Sequence, residues 1–211
     1  EDASIVDTAL REAEEEIGER FYGRPRKRKG LVFSEFSPQY HVSERAEYQP
    51  GFDVLLAVDP GWFPSAFGVL FCQIIEDQIR IFDELYLHEE RNLTQILPKV
   101  KNHRAFRDIT AVWFDPAVDQ HHQGQDSAYE TWTADLRPRG IRLLRPEKHH
   151  EFDGRMRVHD KLLLNGAQQP YLICHPRTKW FQWEMTKGYR MRQRHDGTFH
   201  SDEPINEDNH L

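Results

Sequence analysis

Two short apolar runs, each closed by an aspartate, constrain this chain more than any other feature. Residues 54–58 read Val-Leu-Leu-Ala-Val before Asp59, and residues 109–114 read Ile-Thr-Ala-Val-Trp-Phe before Asp115. Continuous runs of this length, bounded by turn residues, mark strands buried on both faces. In open α/β sheets, sites lie beyond the carboxyl ends of the strands. Two such strands side by side would aim both carboxylates at one spot, where a hard cation such as Mg2+ relieves their mutual repulsion. The competing account is that both aspartates merely open strand-ending turns, where Asp is common.

The remaining pattern supplies a frame around these runs. Residues 66–75 and 78–87 read as two further strands, with Glu76 and Asp77 as a tight hairpin turn between them. Helices are expected over residues 92–101 (with Pro98 inside), 127–136, 154–164 and 179–187, and short strands over 141–144 and 171–174. Asp196-Gly197 signals a hairpin near the end of the chain. Three strands in succession, then strands alternating with helices, predict an α/β fold whose mixed sheet is first antiparallel and then parallel. Ahead of this, residues 4–18 read as a helix, Arg24 to Lys29 as a basic linker, and residues 31–40 as an extended arm laid on something apolar. The expected division is therefore 1–50 as a lead-in and 51–211 as the folded domain.

Bulk properties narrow the class. The 211 residues are 38% hydrophobic and 30% charged, enough for a sizeable core in a chain on the polar side. No run approaches the ~18 apolar residues of a membrane helix. The two cysteines, Cys72 and Cys174, suit a reducing compartment rather than a disulfide framework. A net charge of -7 argues against a general nucleic-acid coat protein, yet a cation-gathering site needs carboxylates, and DNA contact needs only a local basic face.

Further candidates carry weaker signals. Asp208 and His210 close the chain and offer a third carboxylate and a water-orienting group; equally, Asp208 reads as a helix cap. Arg190, Arg192 and Arg194 recur with period two, which sets a guanidinium row on one face of an extended arm. A solvated, aggregation-resistant edge accounts for the same row. Glu84 reads as a solvated strand residue rather than a metal neighbour. Trp180, Phe181 and Trp183 read as core rather than a base-stacking platform, and His121, His122, His149 and His150 as surface residues without cysteine partners for zinc.

Taken in order, Gly30-Leu-Val-Phe-Ser-Glu-Phe36 with His41, Leu56-Ala-Val-Asp-Pro-Gly61, Asp83-Glu-Leu-Tyr86, Ala111-Val-Trp-Phe-Asp-Pro116 and Asn206-Glu-Asp-Asn-His210 resemble the nuclease domain of the large terminase subunits of tailed bacteriophages. The resemblance implies an RNase H-like fold and endonucleolytic cutting of concatemeric double-stranded DNA, with little sequence specificity, during genome packaging. It implies a two-ion Mg2+ or Mn2+ site held by Asp59, Asp115 and Asp208, with His210 beside it. The third ligand is either Asp208 or an acidic residue beyond Leu211. The implied setting is the host cytoplasm, with an upstream ATPase domain of the same polypeptide, the capsid portal and the small terminase subunit as partners. The chain itself contains no Gly-x-x-x-x-Gly-Lys-[Ser/Thr] loop for ATP phosphates.

Three rivals share parts of this pattern: an RNase H-like nuclease for RNA–DNA hybrids or branched DNA, a nucleotide-binding module of the sugar-kinase and actin kind, and a non-catalytic portal-docking module. The second lacks the later glycine-rich phosphate loop that it needs.

Overall fold

The computed structural model describes residues 30–59, 66–87, 93–115, 128–145 and 151–205. Asp208, His210 and the four paired histidines lie outside these residues, as do the expected N-terminal helix and basic linker.

The apolar runs form β1 (Val54–Asp59) and β4 (Ile109–Phe114), which pair in parallel. β2 (Phe67–Ile75) and β3 (Gln78–Leu87) follow β1 in antiparallel order, joined by a turn in which Glu76 and Asp77 both take positive φ, 52° and 62°. That conformation matches the twist of a two-residue hairpin. β5 (Arg142–Leu144) adds in parallel beyond β4, and β6 (Leu172–Cys174) in parallel beyond β3. The resulting six-stranded order is β5-β4-β1-β2-β3-β6, antiparallel at its centre and parallel at both flanks, as the mixed-sheet expectation required.

Helices α2 (Leu93–Lys101) and α3 (Ala128–Leu136) cover one face, burying Ile96, Val100, Trp132 and Leu136 against sheet residues such as Leu56, Val58, Phe71 and Phe114. The other face carries a second core, where Phe181 and Met185 meet Leu70, Ile81, Leu172 and Leu162, the last residue of α4 (Glu151–Leu162). This second cover is partial. Ala57 is exposed and Trp113 is 48% exposed, so β1 and β4 are not buried on both faces as their apolar runs suggested. Burial alternates along β1 and is broken at Thr110 and Trp113 along β4, because the second core is centred on β2, β3 and β6.

Residues 31–40 lie on an apolar surface, as expected, but they are not extended throughout. Val32, Phe33 and Phe36 are buried in the second core, and Pro38 opens a one-turn helix, α1 (Pro38–His41). Proline at a first helical position costs no backbone bond, since its missing N–H would have had no partner. The chain then runs alongside β6, where the Ser43 amide donates to the Cys174 carbonyl at 2.9 Å. Helix α5 (Lys179–Trp183) runs into a π turn over Glu184–Gly188, and the C-terminal hairpin pairs β7 (Met191–Gln193) with β8 (Phe199–Pro204).

Candidate functional site

The parallel ladder between β1 and β4 ends level, with Val58 beside Phe114. It continues one step further, because the Asp115 amide donates to the Val58 carbonyl at 2.9 Å. Asp59 and Asp115 are therefore neighbours at the carboxyl ends of adjacent strands, about 4.8 Å apart across the ladder. Residues at one level of paired strands project to one face. For these two it is the face of Ala57 and Trp113, the open half of the sheet. A register shift between Val54 and Leu55 leaves Thr110 as an extra residue on β4, and this brings the two aspartates level.

The same row continues across β2 and β3. Asp59 stands opposite Gly68, and Gly68 opposite Tyr86. One row below, Ala57, Leu70 and Glu84 are aligned. Glu84 thus faces the same side as the aspartates, but its carboxylate caps α5, accepting from the Trp180 and Phe181 amides at 2.8 and 2.9 Å. Burial pushes the Glu84 carboxyl above its ordinary pKa, and the two amides offset part of that rise. Among the described residues, no group of three or more His, Cys, Asp or Glu side chains is arranged to hold a metal ion.

Donor chemistry at the strand ends fits a hard cation: two aspartates, and oxygen ligands only. Burial holds the thiols of Cys72 and Cys174 up at about 12, so neither supplies a thiolate at neutral pH.

Of the arginine row, only Arg192 lies within β7, and Arg190 and Arg194 flank it; all three are exposed. Arg190 donates its Nε–H to the Lys187 carbonyl at 2.6 Å, which anchors the root of the hairpin. Phe181 is core, as expected, but Trp180 and Trp183 are not: they are 41% and 38% exposed. The reason is local. Phe181 and Met185, four apart, form the inward stripe, which turns Trp180 and Trp183, three apart, outward.

Sequence reasoning missed an ionic cluster near the end of β6. Glu47 pairs with Arg104 and Arg177, whose side chains also approach Asp83, and Asp83 accepts from His103 at 3.3 Å. Hydrogen bonding to Arg177, helped by Arg104, lowers the Glu47 carboxyl to about 2. Its members lie far apart in sequence, so no local motif announces it.

No protein-family model matches the chain, and no curated protein matches its sequence. Solved structures do match its fold. The nuclease domain of the bacteriophage P22 large terminase superimposes with a TM-score of 0.56 at 17% identity, over 82% of this chain and 84% of that one. The nuclease domain of the large terminase g2p of bacteriophage SPP1, solved with bound Mn, gives 0.55 at 12% identity, over 80% and 85%. The large terminase of a thermophilic bacteriophage gives 0.60 at 14% identity over 86% of this chain, which spans 42% of that protein's length. No described helix is long and apolar enough to cross a membrane. The chain has the RNase H-like fold of the large-terminase nuclease domains.

Proposed function

We propose that this chain is the metal-dependent endonuclease portion of a viral DNA-packaging terminase, cutting double-stranded concatemeric DNA with little sequence preference. The observation that carries the reading is the level placement of Asp59 and Asp115 on the open half of the sheet. Support comes from the shared fold, and from the Mn bound in the SPP1 nuclease-domain structure.

In this reading Asp59 and Asp115 present carboxylate oxygens to Mg2+ or Mn2+, and Asp208 with His210 completes the site. Two such ions, when bound, would supply acidity to a water and counter-charge to the leaving oxygen of a phosphodiester. The chain's own contribution is placement. The paired backbone of β1 and β4 fixes both aspartates before substrate arrives. No serine or cysteine nucleophile is needed. Arg190, Arg192 and Arg194 serve as phosphate contacts, positioning the duplex without reading its sequence. The upstream ATPase domain, the capsid portal and the small terminase subunit are its partners in the packaging motor, in the host cytoplasm.

Asp59→Asn and Asp115→Asn are each expected to abolish Mn2+-dependent nicking of supercoiled plasmid while leaving the circular dichroism spectrum unchanged. Cutting at the wild-type rate by either variant removes that residue from the site.

A further inference from the structure

Beside the two aspartates lies a row of aromatic rings that the proposed chemistry does not use. Tyr86 and Trp180 stack face to face, with centroids 4.5 Å apart and planes 16° apart. Trp183 meets Trp180 edge-on, at 6.3 Å and 75°. Both tryptophans are exposed at levels unusual for so large a ring, 41% and 38%. A core needs no such arrangement, and each exposed indole leaves costly apolar area in water.

The rings are also held in place. Glu84 fixes the amides at the start of α5, so Trp180 leaves a pinned backbone. Trp183 lies tightly against Gly188, where an added Cβ would come within 2.5 Å of its ring. Rings fixed before binding lose little entropy when a partner stacks on them.

Position identifies the occupant. Tyr86, Gly68, Asp59 and Asp115 form one row across four strands, all on one face. At about 4.8 Å per strand, Tyr86 stands roughly 10 Å from Asp59, a span of about three base steps along one DNA strand. Gly68, between them, has no side chain to wall off the rings from the carboxylates. Intact duplex covers its base faces by stacking, so flat rings have nothing to hold there; a frayed, mismatched or separated strand does present them.

We propose that Tyr86, Trp180 and Trp183 form a shelf that stacks an unpaired nucleobase of the strand lying on the aspartate pair. The shelf therefore makes this site favour DNA whose strands are locally parted over fully paired duplex. This rests on the nuclease reading for the identity of the strand, but its test does not depend on cutting.

The test is binding of the whole chain, in EDTA, to a fluorescently labelled oligothymidylate of about a dozen nucleotides and to a blunt duplex of equal length. Trp180→Ala is expected to weaken single-strand binding about ten-fold, as loss of one base–aromatic stack does, and to change duplex binding by less than about two-fold. Trp180→Phe, which keeps a ring face, is expected to restore most of the loss. An oligonucleotide carrying a fluorescent adenine analogue should be quenched by the wild type and not by Trp180→Ala. Unchanged single-strand binding overturns the shelf and assigns the exposed rings to a protein contact. Equal losses on both DNAs, or no rescue by Phe, overturn it in favour of a structural role. Because no metal is present, the shelf stands or falls separately from the nicking result for Asp59 and Asp115.

Discussion

Glu84 offers the sharpest test of how the structure divides work among its acidic residues. It projects to the same face as Asp59, yet the geometry makes it a cap for α5 rather than a ligand. Its two accepted bonds are not equivalent. The Trp180 amide lies in an exposed setting and can turn to water, whereas the Phe181 amide is partly buried and has no such recourse. Replacing Glu84 with Gln keeps one acceptor oxygen and sets an NH2 group against the other amide. Hydrogen bonds to a charged acceptor contribute about 1.5–3 kcal/mol each, and the desolvation that raises the Glu84 pKa offsets part of this. A net loss of roughly 1.5 kcal/mol follows for Glu84→Gln. For a domain of this size that lowers Tm by about 3–6 °C. Differential scanning calorimetry with and without Mn2+ measures it. A metal-binding carboxylate behaves in the opposite way: removing it relieves repulsion from Asp59 and raises Tm in the absence of metal. An unchanged or higher Tm for Glu84→Gln, together with loss of Mn2+-induced stabilisation, would refute the capping assignment.

Three other perturbations probe separate parts of the molecule. Replacing Arg190, Arg192 and Arg194 together with Ala should weaken duplex binding and flatten its dependence on salt, by up to about 0.9 in a log–log plot for each phosphate no longer neutralised. An unchanged slope returns them to the role of a solvated edge. Gly30→Ala should cost about 1–2 kcal/mol, because Gly30 has φ of 82° and an added Cβ falls 2.6 Å from the Phe199 ring; urea unfolding measures it, and hairpin proteolysis should accelerate. The Glu47 carboxyl is depressed to about 2 in the folded state, so its stabilisation is present above the ordinary carboxylate range and is lost as pH falls from about 4.5 toward 2. Glu47→Gln should flatten the acid limb of the stability curve there, as followed by urea midpoints against pH.

The sheet was legible in the sequence wherever one segment carried its own signal. The runs at residues 54–58 and 109–114, the hairpin at Glu76 and Asp77, and the turn at Asp196-Gly197 each identify themselves within a few residues. What sequence left open depended on partners. Nothing local in Leu172-Ile173-Cys174 says that it pairs with β3 rather than with β5. Residues 31–36 look like an arm, because their apolar side chains have no helical or alternating period. Their order comes from the second core that they fill. The tryptophans of α5 elude a sequence reading because three aromatic residues in four positions suggest a buried helix. The finer signal is the spacing of Phe181 and Met185, which fixes the inward stripe and turns the indoles out.

Convergence of Asp59 and Asp115 depends on a feature smaller than any of these. A strand's side chains alternate faces, so a slip of one residue between β1 and β4 would send one aspartate into the covered face and leave the other in water. Without the register shift, Leu55 would pair with Thr110 and Val58 with Trp113. Asp59 would then stand level with buried Phe114, and Asp115 would point to the opposite side. The shift at Thr110 corrects the phase, and it carries a cost, since the buried Thr110 hydroxyl has no hydrogen-bond partner. A bulge that re-aims the side chains further along its strand is a recurrent device in sheets. Both apolar runs would form strands equally well with or without it. Only the alignment of the carboxylates requires it: an irregularity at the start of both strands sets which face the aspartates at their far ends present.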